Sequence, residues 1–212
     1  MNKVFIQNID LQTKYDAYLE GREITAPQVR RITETIPGRN GTLDYTTAIT
    51  GYPTYENRTI RIIICIHKTE KAELEKARDD IYKLIHGKGL AMKFNDIKGE
   101  YKGIGTVEAE EDGLRYKRLT ISVDAYPYRI IGIKEIELTA TADGTSKDIE
   151  VDMPVNPIVE NENEITIEAG NLTITKKAGI FSVDELILKP GLNKIKIKGS
   201  GKVKIKYEEG VL

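Results

Sequence analysis

Residues 58–66 read Arg-Thr-Ile-Arg-Ile-Ile-Ile-Cys-Ile, and this stretch decides the fold. β-branched residues alternate with charged ones at its start, which predicts a strand, and from Ile62 onward both faces are apolar. A strand that is apolar on both faces suits the centre of a sheet that is covered on both sides. Cys65 has no second cysteine to pair with, so we expect a buried and unreactive thiol.

The segment that follows, Thr69 to His86, changes to helical periodicity. Its apolar residues at 74, 77, 81, 84 and 85 recur every three or four positions, which predicts an amphipathic helix over 69–86 lying on the sheet. Thr69 is placed to cap its start and Gly87 to end it. A long strand is predicted from Arg115 to Tyr126, because the proline at 127 cannot donate to a sheet ladder.

The remainder of the chain lacks a helical stripe. Short β-type segments are separated by turn signals at 143–144, 170–171, 190–191 and 199–201, a spacing typical of a small β-sandwich. The sequence therefore predicts a mainly β protein with two domains. Residues 1–130 form an α+β domain of β-sheets with one amphipathic helix, and residues 131–212 form the sandwich.

Composition excludes several classes of partner. The 32 Lys and Arg residues nearly cancel the 33 Asp and Glu residues among 212, giving a net charge of −1, whereas a dedicated nucleic-acid binder is strongly basic. We therefore expect no sequence-specific nucleic-acid binding. The chain has no apolar run of about 18 residues and no apolar core before Asp10 that would suit a signal peptide. We expect no membrane insertion and assembly in a cytoplasm.

Catalytic motifs are missing from the sequence. The histidines are His67 and His86, with no matched ligand spacing, and no nucleophile elbow, zinc-protease pair or paired-cysteine motif occurs. Carboxylates at 108, 110, 111 and 112 contain the pair that a glycosidase needs, although a run of this kind is more often a solvated strand end. We expect no enzyme activity, no cofactor and no metal.

Lysines alternate with apolar residues near the end of the chain. Residues 194–207 predict a hairpin in which Ile195, Ile197, Val203, Ile205 and Tyr207 face the core and one outer face is nearly all lysine. The lysines are Lys194, Lys196, Lys198, Lys202, Lys204 and Lys206. This face could bind an anionic polymer such as a wall teichoic acid, meet an acidic neighbour, or protect a sheet edge. Balance within the domain by Glu160, Glu162, Glu164 and Glu168 is the favoured interpretation.

Two segments carry a family resemblance. Residues 36–44, Ile-Pro-Gly-Arg-Asn-Gly-Thr-Leu-Asp, form a turn rich in residues that tolerate positive φ. Residues 51–58, Gly-Tyr-Pro-Thr-Tyr-Glu-Asn-Arg, lead directly into the apolar strand. Together with the helix, the Tyr-Pro-Tyr junction at 126–128 and the lysine-rich end, they resemble the distal tail protein family of siphophages, over nearly the whole chain.

The resemblance implies a structural protein of a phage or prophage tail tip, assembled in the host cytoplasm. It implies a hexameric ring made by the N-terminal domain, with a galectin-like C-terminal domain outside it. Further partners would be the tail tube protein, a tip or fibre protein and the tape-measure protein. Sugar-binding galectins use a Trp and a histidine cluster, and this chain has no Trp and no His after His86, so a lectin of that type is not expected.

Ring subunits meet through two different surfaces, and the loop around 37–58 is the candidate contact. The interface residues predicted on this basis are Arg39, Asn40, Tyr55, Glu56 and Arg58. Glu56 and Arg58 either pair across a subunit boundary or fix the loop within one chain. The alternative function is a free-standing module that binds an anionic cell-wall polymer through the six lysines.

Overall fold

The computed structural model describes residues 2–182 and 184–212. The chain divides into two compact units, one reaching Arg129 and the other spanning Ile130–Val211. Strands dominate both, which confirms the prediction of a mainly β protein.

Antiparallel strands build the first unit around the apolar strand at 58–67. Its elements are β1 (Val4–Ile6), β2 (Ile9–Asp10), α1 (Leu11–Tyr15), β3 (Ala17–Ile24), β4 (Thr33–Glu34), β5 (Leu43–Asp44), β6 (Arg58–His67), α2 (Lys71–Ile85), β7 (Lys88–Phe94), β8 (Ile97–Asp112) and β9 (Tyr116–Ala125). Strands pair in the order β3–β6–β9–β8–β7–β1–β2. β6 lies between β3 and β9, so it is an interior strand of this order, one position from its edge.

Helix α2 covers the core of this unit. Leu74, Ala77, Ile81 and Ile85 are buried and belong to the same apolar cluster as the inward side chains of β6 and β9. The predicted cap was wrong, because the N-cap residue is Glu70, one residue after Thr69, and it makes no side-chain capping bond. The helix ends as predicted, with Gly87 at φ 71°.

The short helix α1 was not predicted. Five residues are too few to show a periodicity, and the helix depends on its cap. The Asp10 carboxylate accepts hydrogen bonds from the backbone N–H groups of Gln12 and Thr13 at 3.0 and 3.2 Å, as an N-cap side chain does.

The second unit is a β-sandwich, as the turn spacing predicted. Its strands are β10 (Arg129–Ala140), β11 (Thr145–Val151), β12 (Ile158–Asn161), β13 (Ile165–Ala169), β14 (Leu172–Lys176), β15 (Gly179–Ser182), β16 (Gly191–Gly199) and β17 (Gly201–Val211). One sheet has the order β11–β16–β13–β14 and the other β15–β12–β17–β10. Their inward apolar side chains form a single cluster.

The predicted terminal hairpin was wrong. Strands β16 and β17 lie in different sheets, so the chain crosses the sandwich between them instead of folding back on itself. Gly199 and Gly201 make the crossing at φ 138° and 89°, backbone angles that favour glycine. Alternating burial shows that an inward face exists on both strands, but it cannot show whether the two strands are neighbours.

Candidate functional site

A long arm connects β3 to β6. We define the arm as residues 25–57, and no residue in it is buried. Neighbouring strands β3 and β6 pair as far as Ile24 and Ile60, so the arm leaves and re-enters the first unit at one edge. A two-stranded ribbon is marginally stable alone, which makes the arm a candidate contact element.

Backbone hydrogen bonds join the two limbs of the arm along its length. Near its base, the N–H of Glu56 donates to Gln28 O at 2.8 Å and the N–H of Arg30 donates to Thr54 O at 2.8 Å. Farther out, β4 pairs with β5. The arm is therefore an ordered ribbon with a defined direction.

The predicted interface residues fall on different parts of this arm. Arg39 and Asn40 are exposed in the turn at the tip, where Gly38 and Gly41 have φ 81° and 75°, as the sequence predicted for a turn tolerant of positive φ. Glu56 is exposed near the base, and its carboxylate lies 3.9 Å from Arg30 Nε. Their role in an interface stays a prediction.

Apolar side chains are exposed along the arm. Ile49 is 87% exposed, and Val29, Ile32, Ile36 and Tyr45 are each about two-fifths exposed. Exposed apolar residues that cluster on one element mark interaction sites more often than scattered ones do. The sequence analysis did not identify these isoleucines as candidate contacts.

Aromatic rings fix the base of the arm to the first unit. Tyr55 meets Tyr128 edge to face, with ring centroids 5.9 Å apart, and Tyr126 lies 5.7 Å from the same ring. Tyr128 is 3% exposed, and burial raises the pKa of its phenol to about 12. The predicted residue Tyr55 therefore anchors the arm within one chain.

Arg58 differs from the other predicted interface residues because it is buried, at 6% exposure. It begins β6 on the same face as Ile60 and Ile62, so strand alternation contained the signal for its burial. Its guanidinium donates to the carbonyl of Pro127 and lies 5.7 Å from the Tyr101 ring centroid. Burial lowers the pKa of Arg58.

Lysines of β16 and β17 occupy the outer faces of different sheets, so the six do not form one face. Lys198 Nζ lies 2.6 Å from Glu168, and Lys206 Nζ lies 3.3 Å from Glu160. Lys204 Nζ lies 2.8 Å from Glu137, a partner that the sequence analysis did not name. These ion pairs neutralise part of the charge within the unit, which was the favoured interpretation of the lysines.

The carboxylates considered for catalysis are all engaged in ion pairs. Each has a cation within 3.0 Å, and these contacts are Glu108 with Arg61, Glu110 with Arg78 and Lys117, Glu111 with Arg118, and Asp112 with Lys117. Arg78 holds the pKa of Glu110 below its ordinary value, whereas a general acid needs a raised one. Such carboxylates have the properties of structural partners.

The histidines also have structural contacts. His86 accepts a hydrogen bond at Nδ1 from the N–H of Val107 at 3.2 Å and stacks on Tyr82, and His67 meets Tyr18 edge to face. Within residues 2–182 and 184–212, no cluster of three or more potential metal ligands occurs. No helix in the same part of the chain is long and apolar enough to cross a membrane.

Comparison with solved structures relates this architecture to a phage protein. The crystal structure of the Dit protein of phage SPP1, described as a paradigm of the hub adsorption apparatus in phages that infect Gram-positive bacteria, aligns over 100% of both chains, with a TM-score of 0.68 and 15% identity. The chain has the Dit fold.

A weaker likeness is to the activated baseplate of phage p2, with a TM-score of 0.44, 9% identity and coverage of 97% of this chain and 98% of that one. No protein-family model and no curated protein sequence matches the chain. Likeness to the Dit fold therefore rests on the arrangement of strands and helices, and the arm is the part of this Dit fold that lacks a core of its own.

Proposed function

We propose that this protein is a structural hub of a phage tail, in which copies of the first unit assemble into a hexameric ring. The observation that carries the proposal is the arm. It extends from a Dit-like unit, and no residue of the arm itself is buried. A neighbouring copy that covers the arm would bury Ile32, Ile36 and Ile49. Full burial of an exposed side chain such as Ile49 contributes about 1.5 to 3 kcal/mol, and Ile32 and Ile36 contribute less because they are already more than half covered.

The arm also suits closure of a ring. A cyclic assembly of more than two copies needs two different surfaces on each chain. Here the apolar arm is one surface, and the body of the next copy supplies the other. We propose that the ring joins the tail tube to the host-recognition apparatus at the tail tip, without enzyme activity, and contacts the tube, tip or fibre and tape-measure proteins there.

Two substitutions with matched exposure test the role of the arm. Ile49 is 87% exposed on the arm and Leu114 is 92% exposed elsewhere in the first unit, so Ile49→Ser and Leu114→Ser remove similar surface residues from different places. The mass of each purified protein is measured by light scattering over a concentration series, and negative-stain images are taken of the largest species.

We expect wild type and Leu114→Ser to form closed rings at the same concentration and Ile49→Ser to need at least about tenfold more protein, since 1.4 kcal/mol corresponds to a factor of ten. Six subunits in each ring would support the full proposal. Wild-type protein that stays monomeric throughout, or an Ile49→Ser variant that assembles like Leu114→Ser, would contradict the assignment of the arm as the ring contact.

A further inference from the structure

Two arginines at the base of the arm lack a counter-charge. Arg58 begins β6 and Arg129 begins β10, and the Arg58 guanidinium donates to the carbonyl of Pro127, two residues before Arg129. Burial lowers the pKa of Arg58, and the nearby charge of Arg129 lowers it further. The Nε–H groups of both are buried and have no hydrogen-bond partner. Within the part of the chain that the structure describes, no carboxylate pairs with either guanidinium.

Such an arrangement is costly for one chain alone. Arginine keeps its charge at any physiological pH, and a buried charge without a partner is unfavourable. The contacts of Arg58 are a carbonyl and a ring face, at Pro127 and Tyr101, and neither carries a full negative charge. Other arginines of this unit pair closely with carboxylates, as Arg78 does with Glu110 and Arg118 with Glu20.

We propose that Arg58 and Arg129 form a receptor for one carboxylate group. Arg129 is partly exposed as a residue while its Nε is buried without a partner, and the planar fork of an arginine matches the two oxygens of a carboxylate. Arg58, which is buried and bonded to the Pro127 carbonyl, adds a second positive charge near Arg129. Tyr55 and Tyr128 pack edge to face at the same base of the arm.

The carboxylate has two possible sources with the same chemistry. A free small carboxylate would bind the monomer, and this outcome does not depend on the proposed ring. A glutamate or aspartate side chain of a second copy would bind only during assembly, and this version rests on the proposed function. Protein concentration separates the two sources.

The test uses acetate as the probe and the full chain as the protein. Thermal unfolding of wild type, Arg129→Met and Arg115→Met is followed in sodium acetate and in sodium chloride at equal ionic strength, with dilute and with concentrated protein. Arg115 is exposed and has no ion pair within the described residues, so Arg115→Met is the matched control. Methionine keeps most of the apolar stem of arginine in both variants.

If a free carboxylate binds, acetate raises the wild-type Tm by about 3 to 5 °C at ten times its Kd, and only Arg129→Met loses the response. If a second copy supplies the group, the wild-type Tm rises with protein concentration, Arg129→Met loses that rise, and acetate competes with assembly. Equal responses of all three proteins to acetate and to concentration would overturn the proposal.

A measurement on wild-type protein covers the case in which Arg129→Met fails to fold. The arginine Nε–H signals of Arg58 and Arg129 are followed by NMR during an acetate titration of dilute protein and during an increase of protein concentration in chloride. Saturable movement of these signals in either series supports the receptor. If the signals stay fixed in both, no carboxylate binds there and the inference is wrong.

Discussion

Substitution of Asp10 by asparagine should make the first unit less stable in a way that depends on pH. The Asp10 carboxylate accepts hydrogen bonds from the backbone N–H groups of Gln12 and Thr13 at the start of α1. Its second oxygen accepts from the Thr13 hydroxyl at 2.7 Å and from Lys3 Nζ at 2.8 Å. Asparagine keeps an oxygen for the cap but loses the attraction to the lysine.

The magnitude follows from the pKa. The bond from Lys3 is the largest cause that lowers the pKa of Asp10 from 3.8 to about 2, and one pKa unit corresponds to about 1.4 kcal/mol. The upper bound is therefore about 2.5 kcal/mol. Because Lys3 is 36% exposed and water screens the pair, we expect about 1 to 2 kcal/mol.

The sign of the pH dependence is fixed by the direction of this change. A carboxyl whose pKa is lower in the folded state stabilises the fold fully above its unfolded pKa, and the contribution is lost as the pH falls from 3.8 towards about 2. The difference in unfolding free energy between wild type and Asp10→Asn should therefore be largest at neutral pH and disappear near the lower value.

Urea unfolding followed by circular dichroism at a series of pH values measures this difference. Asp80→Asn is the control, because Asp80 lies in the same unit and has no ion pair within the described residues. If the loss in Asp10→Asn were independent of pH, or equal to the loss in Asp80→Asn, the account of Asp10 as a charged cap held by Lys3 would be refuted.

Three further predictions concern Lys117, Gly199 and Cys65. Lys117→Met should lower the unfolding free energy by about 2 to 3 kcal/mol in urea unfolding, because Lys117 is 5% exposed and contacts carboxylates from α2 and β8. The control is Lys93→Met, which removes a more exposed ion pair and should lower the unfolding free energy by less than about 1 kcal/mol. Gly199→Ala should cost about 1 to 3 kcal/mol in thermal unfolding, since an added Cβ would lie 2.7 Å from the Glu164 carbonyl oxygen. Burial raises the pKa of Cys65 to about 11, so iodoacetamide should modify it in urea but not in native protein at neutral pH, as mass spectrometry would show.

Features of the fold that depend on local pattern were predictable from sequence. The run at 62–66, apolar on both faces, predicted an interior strand, and apolar spacing predicted the helix that covers it, because each pattern reflects which side chains must leave water. The pairing of β16 with β11 and β13 was not predictable in this way. It depends on which strands meet across long sequence distances, and the tight Gly-Ser-Gly turn suits a sheet crossing as well as a hairpin.

At the base of the arm, too, local pattern was predictable from sequence and long-range contact was not. Strand alternation places Arg58 on the inward face with Ile60, so its burial could have been predicted. Its closeness to Arg129 could not, because these residues are 71 positions apart, as their numbers show, and are brought together by the sheet. Local sequence thus identified one guanidinium of the pair, and only the fold shows that it lacks a carboxylate.

The surfaces left for partners differ in the two units, and this difference bears on how assembly should respond to salt. On the sandwich, Lys198, Lys204 and Lys206 already pair with glutamates of their own unit, so less of their charge is available to an anionic polymer. On the first unit, the arm offers isoleucines that are accessible to a neighbour. Contact through apolar side chains is insensitive to ionic screening, whereas contact through exposed lysines weakens as salt is added. Association that persists in high salt is therefore what a hub held together by its arm requires, and association that disappears in high salt would favour polymer binding through the lysines.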